Sequence, residues 1–300
     1  MAGKISIVIP TFQSTSIQDT LAAISSQTAL DQVAEVIVAG QQTNLDCSVL
    51  SQLIYVEVSE KPTPARNRNA GARQASGDWI LFTDSDCLPS SDWVERMLNS
   101  FRPRVSTYAG SVDIPDGISY WGRCDHLVGF SQQAAGIARK EMLNYAATLN
   151  FCISRQLFLD MNGFDEHFET PGGEDRELCW RLKRAGEEIL FVPQAGVVHN
   201  HTRLDFRSAW VHNYHYGQAT SHFRLRHYQD SSLVWKAGRK VAAVPILGEV
   251  AGLLRVLSRS ILRPVQQPGL IGMFSYWPGM LLLDSAHSSG MIRSIREYGK

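Results

Sequence analysis

The first ninety residues alternate between continuous apolar runs and segments in which apolar positions recur at helical spacing. We predict buried strands for the four apolar runs, at residues 5–9, 36–40, 53–58 and 79–83. The segments between them predict helices over residues 16–28 and 64–75. Strands separated by helices are typical of βαβ units. The sequence therefore predicts an α/β fold with a mixed, mostly parallel, Rossmann-like sheet flanked by helices.

The same kind of pattern continues to about residue 220, without a linker rich in glycine, serine or charge. It predicts further strands at 149–154 and 190–198, and helices at 155–161 and 174–185. We therefore interpret residues 1–222 as one α/β domain. Residues 223–300 are predicted to form a separate, basic and amphipathic helical region.

The composition, 44% apolar and 19% charged, excludes a disordered or low-complexity chain. The net charge is +0, but the charges are unevenly distributed. Residues 1–222 contain 18 lysines and arginines against 25 aspartates and glutamates, whereas residues 223–300 contain 11 against 4. A basic C-terminal quarter indicates an anionic partner, either a membrane surface or nucleic acid.

Five widely spaced cysteines, with no Cys-x-x-Cys pair, argue against a disulfide framework or a zinc site. This cysteine usage favours a reducing compartment. The N-terminus runs directly into the first apolar strand and lacks the features of a signal peptide. We therefore expect a cytoplasmic rather than a secreted protein.

Two aspartates follow the strand at residues 79–83, in the sequence Asp84-Ser85-Asp86. Alternate residues of an extended segment point to the same side, so both carboxylates can project from the sheet edge where such folds bind ligands. Two carboxylates there suit Mg²⁺ or Mn²⁺, with a diphosphate completing the coordination. A solvated loop or a helix cap is the alternative for so short a motif.

Glu174 and Asp175 open the helix at 174–185, directly after Gly172-Gly173. Acidic residues in a first helical turn commonly stabilise the helix dipole, and the glycines can simply make the turn. The functional alternative is that one of the two carboxylates lies at the edge of a pocket and acts as a general base.

Two more segments carry groups with possible chemistry. Arg66, Asn67 and Arg68 begin the helix at 64–75 and could bind a nucleotide, although a solvated helix face is the common role of such arginines. His199 and His201 follow a strand and could supply a metal ligand, although a surface histidine cluster is the simpler interpretation.

These motifs occur in the order found in one known family. The chain resembles the large family-two group of inverting glycosyltransferases with the GT-A fold, over roughly residues 3–220. The resemblance is carried by Val8-Ile9-Pro10-Thr11, Ser26-Gln27-Thr28, Glu35-Val36-Ile37-Val38, Ala65-Arg66-Asn67, residues 77–86, Asn150 with Ile153-Ser154-Arg155, Gly163-Phe164-Asp165-Glu166, Glu174-Asp175 with residues 178–182, and Val198-His199.

The resemblance implies transfer of a sugar from a nucleotide-sugar to an acceptor hydroxyl, with inversion at the anomeric carbon. By that analogy Asp175 would be the base that deprotonates the acceptor, and Glu174 would orient it. A divalent cation, Mn²⁺ or Mg²⁺, would be bound by Asp86, Asp84 and His199, with His201 as the alternative to His199. The donor would contact Pro10, Thr11, Arg66, Asn67, Asp84, Ser85 and Asp86.

The sequence departs from the family where an aspartate usually recognises the nucleobase, because the stretch here is Val38-Ala39-Gly40-Gln41-Gln42. A backbone group or Gln41 would have to take that role. A UDP-sugar is the first expectation for the donor, with GDP-mannose or a dTDP-sugar next. Two other functions remain open: a sugar nucleotidyltransferase, which should carry a glycine-rich loop after the first strand, and a catalytically inactive binding module.

The C-terminal region predicts a basic amphipathic helix over residues 241–262, of the kind that lies in a membrane interface. Residues 264–283 are uncharged, but their prolines favour a bent or in-plane hydrophobic segment over a membrane span. We expect a protein peripheral to the inner face of the cell membrane, with a glycan or lipid-linked acceptor. Packing of these helices on the first domain, or a homodimer, is the alternative, and no nucleic-acid partner is expected.

Overall fold

The computed structural model describes residues 3–136, 141–169, 172–227, 233–244, 246–266 and 273–298. Its strands are β1 (Ile5–Phe12), β2 (Val33–Gln41), β3 (Leu53–Glu57), β4 (Trp79–Thr83), β5 (Cys87–Pro89), β6 (Thr107–Asp113), β7 (Met142–Leu143), β8 (Asn150–Ser154) and β9 (Ile189–His199). Its α-helices are α1 (Ile17–Ser25), α2 (Pro64–Gln74), α3 (Trp93–Asn99), α4 (Tyr120–Phe130), α5 (Arg155–Asp160), α6 (Glu174–Arg184), α7 (Phe206–Arg226), α8 (Leu233–Ala243), α9 (Leu247–Gln266) and α10 (Trp277–Tyr298).

The strands form one mixed sheet in the order β3-β2-β1-β4-β8-β6-β9-β5, with β7 paired to β9. The first four strands are mutually parallel, as the alternation of apolar runs and helices predicts. The second half is mixed, since β8 runs antiparallel to both β4 and β6, whereas β6 and β9 are parallel. The predicted α/β sheet with flanking helices is confirmed.

Both faces of β1, β2 and β4 are buried, which explains why these strands are continuous apolar runs rather than alternating ones. The prediction of a buried strand at residues 53–58 is wrong in its burial, because β3 is the edge strand of the sheet and exposes Ile54 and Tyr55. Ile5, Ile7 and Ile9 of β1 join the core on one face, and Val8 joins the core on the other. Helix α2 lies close against the second face, because a Cβ atom at Gly71 would be 2.6 Å from Cγ1 of Val8. This close approach holds the start of α2 beside the carboxyl ends of β1 and β4.

The C-terminal helix α10 packs along α7 and α4. A Cβ atom at Gly290 would lie 2.0 Å from the carbonyl oxygen of Tyr214, so the two helices meet backbone to backbone. Leu283 of α10 joins Cys124 of α4 in a small buried apolar cluster. Residue 222, where we expect the first domain to end, lies inside α7.

The helix predicted over residues 241–262 is wrong as one element, because α8 ends at Ala243 and α9 begins at Leu247. Ile246, between them, has φ 68°, which no helix continues. The sequence carries Pro245 at this break, and proline lacks the N–H that a helix interior needs. Of the predicted uncharged segment at 264–283, residues 267–272 lie outside the described residues. No helix in the described part of the chain is long and apolar enough to cross a bilayer.

Candidate active site

A cavity of about 350 Å³ opens where β1 and β4 end. Six of the seven residues that we predict to contact a nucleotide-sugar line it, namely Pro10, Thr11, Asn67, Asp84, Ser85 and Asp86. Arg66 is the seventh, and it faces elsewhere: its Nε lies 3.7 Å from Oε2 of Glu166. Neighbouring positions on a helix point in different directions, and it is Arg68, two residues later, that lines the cavity.

The Asp84-Ser85-Asp86 segment is a turn and not the extended stretch that we expected. The N–H of Cys87 donates to the carbonyl oxygen of Asp84 at 3.1 Å and closes the turn, after which β5 pairs with β9. The two carboxylates consequently face different partners. Asp84 contacts Arg68, and Asp86 contacts His199.

Asp86 lines the cavity, and His199 lies directly beside it. Nε2 of His199 is 3.4 Å from Oδ2 of Asp86, because Cys87 of β5 pairs directly with His199 of β9. Burial would raise the pKa of Asp86, but the hydrogen bond and charge of His199, together with Arg203, bring that pKa below its ordinary value. Nδ1 of His199 is buried and has no hydrogen-bond partner. The pair therefore offers one anionic oxygen and one imidazole nitrogen.

His201 is buried beside His199, with ring centroids 5.0 Å apart. Its Nδ1 accepts the N–H of Arg203 at 3.3 Å, so the ring proton belongs on Nε2, which leaves no nitrogen of His201 free to bind a cation. Burial, followed by the charge of Arg203, lowers the pKa of His201 to about 3, so the ring stays neutral. The geometry favours His199 as the ligand.

The described residues contain no cluster of three or more histidine, cysteine, aspartate or glutamate side chains able to bind a metal ion by themselves. Asp86 and His199 would thus supply two ligands of a divalent cation, with the rest coming from water and substrate. Mg²⁺ and Mn²⁺ suit such a site, because they are commonly bound by one or two protein groups together with substrate phosphates.

Arg68, named from the sequence only as a possible nucleotide contact, makes two ion pairs that the sequence reasoning did not predict. Its Nη2 lies 2.6 Å from Oδ1 of Asp84, and its Nη1 lies 2.9 Å from Oε1 of Glu174. Burial would lower the pKa of Arg68, but Asp84 and Glu174 raise it above its ordinary value. One buried guanidinium therefore joins the aspartates after β4 to the carboxylates that open α6.

Two glycines set the start of α6. Gly172 has φ 89° and Gly173 has φ 129°, backbone conformations that residues other than glycine rarely adopt. The turn lets the N–H of Gly172 donate to Oε2 of Glu174 at 3.0 Å. Burial and then the adjacent Asp175 raise the pKa of Glu174 to about 7, against the effect of Arg68. Glu174 is thus held on both oxygens.

Asp175 has a different environment from Glu174. Its Oδ2 accepts a hydrogen bond from the hydroxyl of Tyr145 at 2.6 Å, and Oδ1 accepts the N–H of Arg176 at 2.6 Å. The buried phenol of Tyr145 fixes the carboxylate without adding a compensating positive charge. Glu174 is thus paired with a guanidinium, whereas Asp175 is held by a phenol and a backbone N–H.

Gln41 and Gln42 lie at the end of β2, where the family's nucleobase aspartate is missing, and both make hydrogen bonds within the protein. Oε1 of Gln42 accepts from the Thr11 hydroxyl at 2.7 Å, and Nε2 of Gln41 donates to the carbonyl oxygen of Ser59 at 3.2 Å. Phe12, which lines the cavity, is 66% exposed.

The Gly163-Phe164-Asp165-Glu166 motif lies outside this cavity and lines a second one of about 730 Å³. Asn69 of α2 binds both backbone groups of Phe164, donating to its oxygen and accepting its N–H, each at 2.9 Å. The motif therefore anchors α2 to the loop after α5, and it orients the helix that carries Arg68.

Comparisons with known proteins give one consistent result. A sequence model of the family described as "Glycosyl transferase family 2" matches residues 6–168, and one described as "N-terminal domain of galactosyltransferase" matches residues 137–203. A pre-mycofactocin glycosyltransferase of Mycobacterium tuberculosis is 28% identical over 200 residues, which are 65% of this chain and 42% of that protein. The glycosyltransferase AglE of Haloferax volcanii is 26% identical over 201 residues, 63% of this chain and 64% of that one. The chain thus spans less than two thirds of these relatives.

Solved structures share the fold. A mannosyltransferase from Pyrobaculum calidifontis, in complex with GDP-Man and Mn²⁺, superposes with TM-score 0.59 at 16% identity, covering 100% of this chain and 88% of that one. GalNAc-T7 with UDP, GalNAc and Mn²⁺ superposes with TM-score 0.51 at 15% identity, covering 73% and 50%.

Proposed function

Because the chain belongs to glycosyl transferase family 2, we propose that it is an inverting, metal-dependent glycosyltransferase that moves a sugar from a nucleotide-sugar to an acceptor hydroxyl. A UDP-sugar is the first candidate donor, with GDP-mannose or a dTDP-sugar next. One observation carries the proposal: Arg68 contacts both Asp84 and Glu174, so the two acidic motifs belong to one site.

Each motif supplies what the reaction needs. Asp86 and His199 are the residues that would hold Mn²⁺ or Mg²⁺, and the cation would neutralise the charge of the leaving diphosphate. Arg68 fixes Asp84 on the donor side and Glu174 on the other. Asp175, held by Tyr145, is proposed to take the proton of the acceptor hydroxyl as it attacks. A direct displacement with inversion requires no nucleophilic serine or cysteine.

Thermal unfolding with UDP, GDP and dTDP, each with and without Mn²⁺, tests the proposal. We expect one nucleotide to raise the unfolding temperature only when Mn²⁺ is present, because Asp86 and His199 would hold a cation that neutralises the charge of its phosphates. At a hundred times its dissociation constant such a ligand adds about 2.7 kcal/mol of stability. Mn²⁺ alone and nucleotide with a chelator serve as controls.

Two results would contradict the proposal. No response to any nucleoside diphosphate would favour an inactive module. Release of pyrophosphate from a nucleoside triphosphate and a sugar phosphate would favour a sugar nucleotidyltransferase, although the residues at the end of β1 and directly after it, Pro10-Thr11-Phe12-Gln13, contain no glycine.

We further propose that the region around α9 binds a membrane surface peripherally, which fits a lipid-linked or cell-envelope acceptor. Large apolar side chains are exposed along α8, α9 and the turn between them. This apolar face consists of Val241, Val244, Ile246, Leu247, Val250, Leu253, Leu254 and Leu257. This exposed apolar face would enter the interface of a bilayer, and the exposed Lys240 of α8 would meet anionic lipids.

Sedimentation with vesicles of phosphatidylcholine and phosphatidylglycerol tests this surface. We expect Leu254→Glu to bind at least about threefold more weakly than the wild type, because it places a charge where apolar area enters the bilayer. Leu159→Glu, at an exposed leucine of α5, is the matched control and should bind normally. Equal binding of both variants, or a dimer that dissociates on Leu254→Glu without any vesicle binding, would count against a membrane surface.

A further inference from the structure

Asn67 of α2 carries a buried hydrogen-bond acceptor in the wall of the cavity where β1 and β4 end. The residue lines this cavity and is 3% exposed. Its Nδ2 donates to the carbonyl oxygen of Thr11 at 3.0 Å, whereas its Oδ1 is buried without a hydrogen-bond partner among the described residues. Buried polar atoms in native proteins are almost always paired. An unpaired acceptor in the wall of a substrate cavity therefore points to a donor group on the ligand.

Thr11 fixes the direction in which the amide of Asn67 faces. A carbonyl oxygen can only accept, so the group that meets it must be the NH₂ of the amide. Turning the amide over would bring Oδ1 against the carbonyl oxygen of Thr11, which places two acceptors together. Asn67 consequently presents an acceptor to the cavity and cannot exchange it for a donor.

The amide of Asn67 lies at the place in the fold where the nucleobase aspartate is missing. Gly40 of β2 pairs in register with Thr11 of β1. A Cβ atom at Gly40 would be 2.0 Å from the carbonyl oxygen of Thr11 and 2.7 Å from Nδ2 of Asn67. Gly40 also has φ 138°, which residues with a side chain rarely adopt. Position 40 therefore has no room for a side chain, and the neighbouring polar group is the amide of Asn67.

The two glutamines at the end of β2 are turned to other partners. Nε2 of Gln41 donates to the carbonyl oxygen of Ser59 at 3.2 Å, and Nε2 of Gln42 donates to that of Ser14 at 2.9 Å. Neither glutamine is among the described residues that line the cavity. Gln41, which the sequence offered as a substitute for the aspartate, is thus less well placed than Asn67.

The order of the strands separates Asn67 from the proposed cation ligand. Strand β1 lies between β2 and β4, so Gly40 is on one side of it and Asp86, which follows β4, is on the other. A nucleotide whose phosphates lie at Asp86 can extend across the end of β1 and bring its base to Asn67. Phe12, which lines the cavity and is 66% exposed, offers a ring on which a planar base can stack.

We propose that Asn67 selects the nucleobase of the donor, with its Oδ1 accepting the N3–H of a uracil or thymine in place of the missing aspartate. Uracil and thymine carry a proton at N3, whereas cytosine has a lone pair there, which would face the lone pairs of Oδ1. Because Thr11 holds the amide in one orientation, Asn67 cannot adapt to cytosine. This inference rests on the proposed function and adds to it the base that the site recognises.

Calorimetric titration of the full chain in Mn²⁺ with UDP, CDP and UDP methylated at N3 tests the selection. We expect the wild type to bind CDP and the methylated nucleotide at least about tenfold more weakly than UDP, since each lacks the N3–H. CDP removes the proton without adding bulk. Equal affinity of the wild type for UDP and CDP, or tighter binding of GDP than of UDP, overturns the proposal without the need for any variant.

Asn67→Ala assigns the selection to this side chain. We expect it to weaken UDP binding and to bring the ratio of UDP to CDP affinity close to one. Asn99→Ala, at an exposed asparagine that ends α3, is the matched control and should keep the wild-type ratio. Weaker binding of all three nucleotides with an unchanged ratio would make Asn67 a structural residue and overturn the proposal.

The titrations also distinguish failure of this inference from failure of the proposed function. Mn²⁺-dependent nucleotide binding without a preference for UDP over CDP overturns the role of Asn67 and leaves the proposed function standing. Failure of every nucleoside diphosphate to bind in the presence of Mn²⁺ removes the proposed function, and the role of Asn67 with it.

Discussion

Asp86→Ala should abolish the Mn²⁺-dependent part of nucleotide binding, with a loss of at least about a hundredfold in affinity. The described residues bring only Asp86 and His199 together as candidate ligands, so removing the carboxylate leaves a single neutral imidazole. A neutral ligand alone cannot offset the cost of stripping water from a divalent cation. Titration of the nucleotide found by thermal unfolding, with and without Mn²⁺, measures the effect.

Asp92→Ala is the matched control for this loss, since Asp92 lies at the start of α3 and pairs with Arg96 rather than facing the cavity. It should bind nucleotide and Mn²⁺ as the wild type does. Asp86→Ala should retain the wild-type unfolding temperature within a few degrees when no ligand is present. Unchanged Mn²⁺-dependent affinity in Asp86→Ala would remove this residue from the cation site.

The buried strands of the parallel half were predictable because they obey a local rule, whereas β5, β6 and β7 were not predicted. Strands buried on both faces must be continuously apolar, so β1, β2 and β4 are visible as runs in the sequence, and β4 is predicted with its exact bounds, Trp79–Thr83. The break between α8 and α9 was missed because periodicity of apolar residues outweighed Pro245 in the prediction. A proline inside a helical pattern is the stronger local feature.

Most of the residues that line the cavity were predictable as well, because parallel strands end at one edge of the sheet and the residues at those ends meet there. The ion pairs of Arg68 were missed because a pair such as that with Glu174, 106 residues away, leaves no local pattern. One feature of α2 could have indicated them: Arg68 shares a helix face with the buried Ala65 and Ala72. A charged residue on a buried face of small residues predicts an ion pair within the fold.

The direction in which the arginines of α9 face could not be predicted from the sequence. Residues of α9 divide into an apolar and a basic face, and from the sequence either face could be the buried one. The structure buries the basic face against α10 and exposes leucines such as Leu253 and Leu254. That inversion depends on Asp284, His287 and Ser288, which come from a distant helix.

Asp175→Asn should leave donor binding intact and lower turnover by at least about a hundredfold, the usual contribution of a general base. Asparagine keeps an oxygen that can accept from the Tyr145 hydroxyl, so the side chain retains its position while losing its basicity. Release of nucleoside diphosphate from the donor identified by thermal unfolding measures turnover. Asp160→Asn, at an exposed aspartate that ends α5, is the matched control and should turn over normally.

A comparison with Glu174→Gln separates the base from the residue that orients it. Glu174 accepts from Arg68 and from the N–H of Gly172, and glutamine keeps one oxygen that can accept from either of them. We therefore expect Glu174→Gln to lose less turnover than Asp175→Asn. If Asp175→Asn were nearly as active as the wild type while Glu174→Gln were inactive, the roles of the two carboxylates would have to be exchanged.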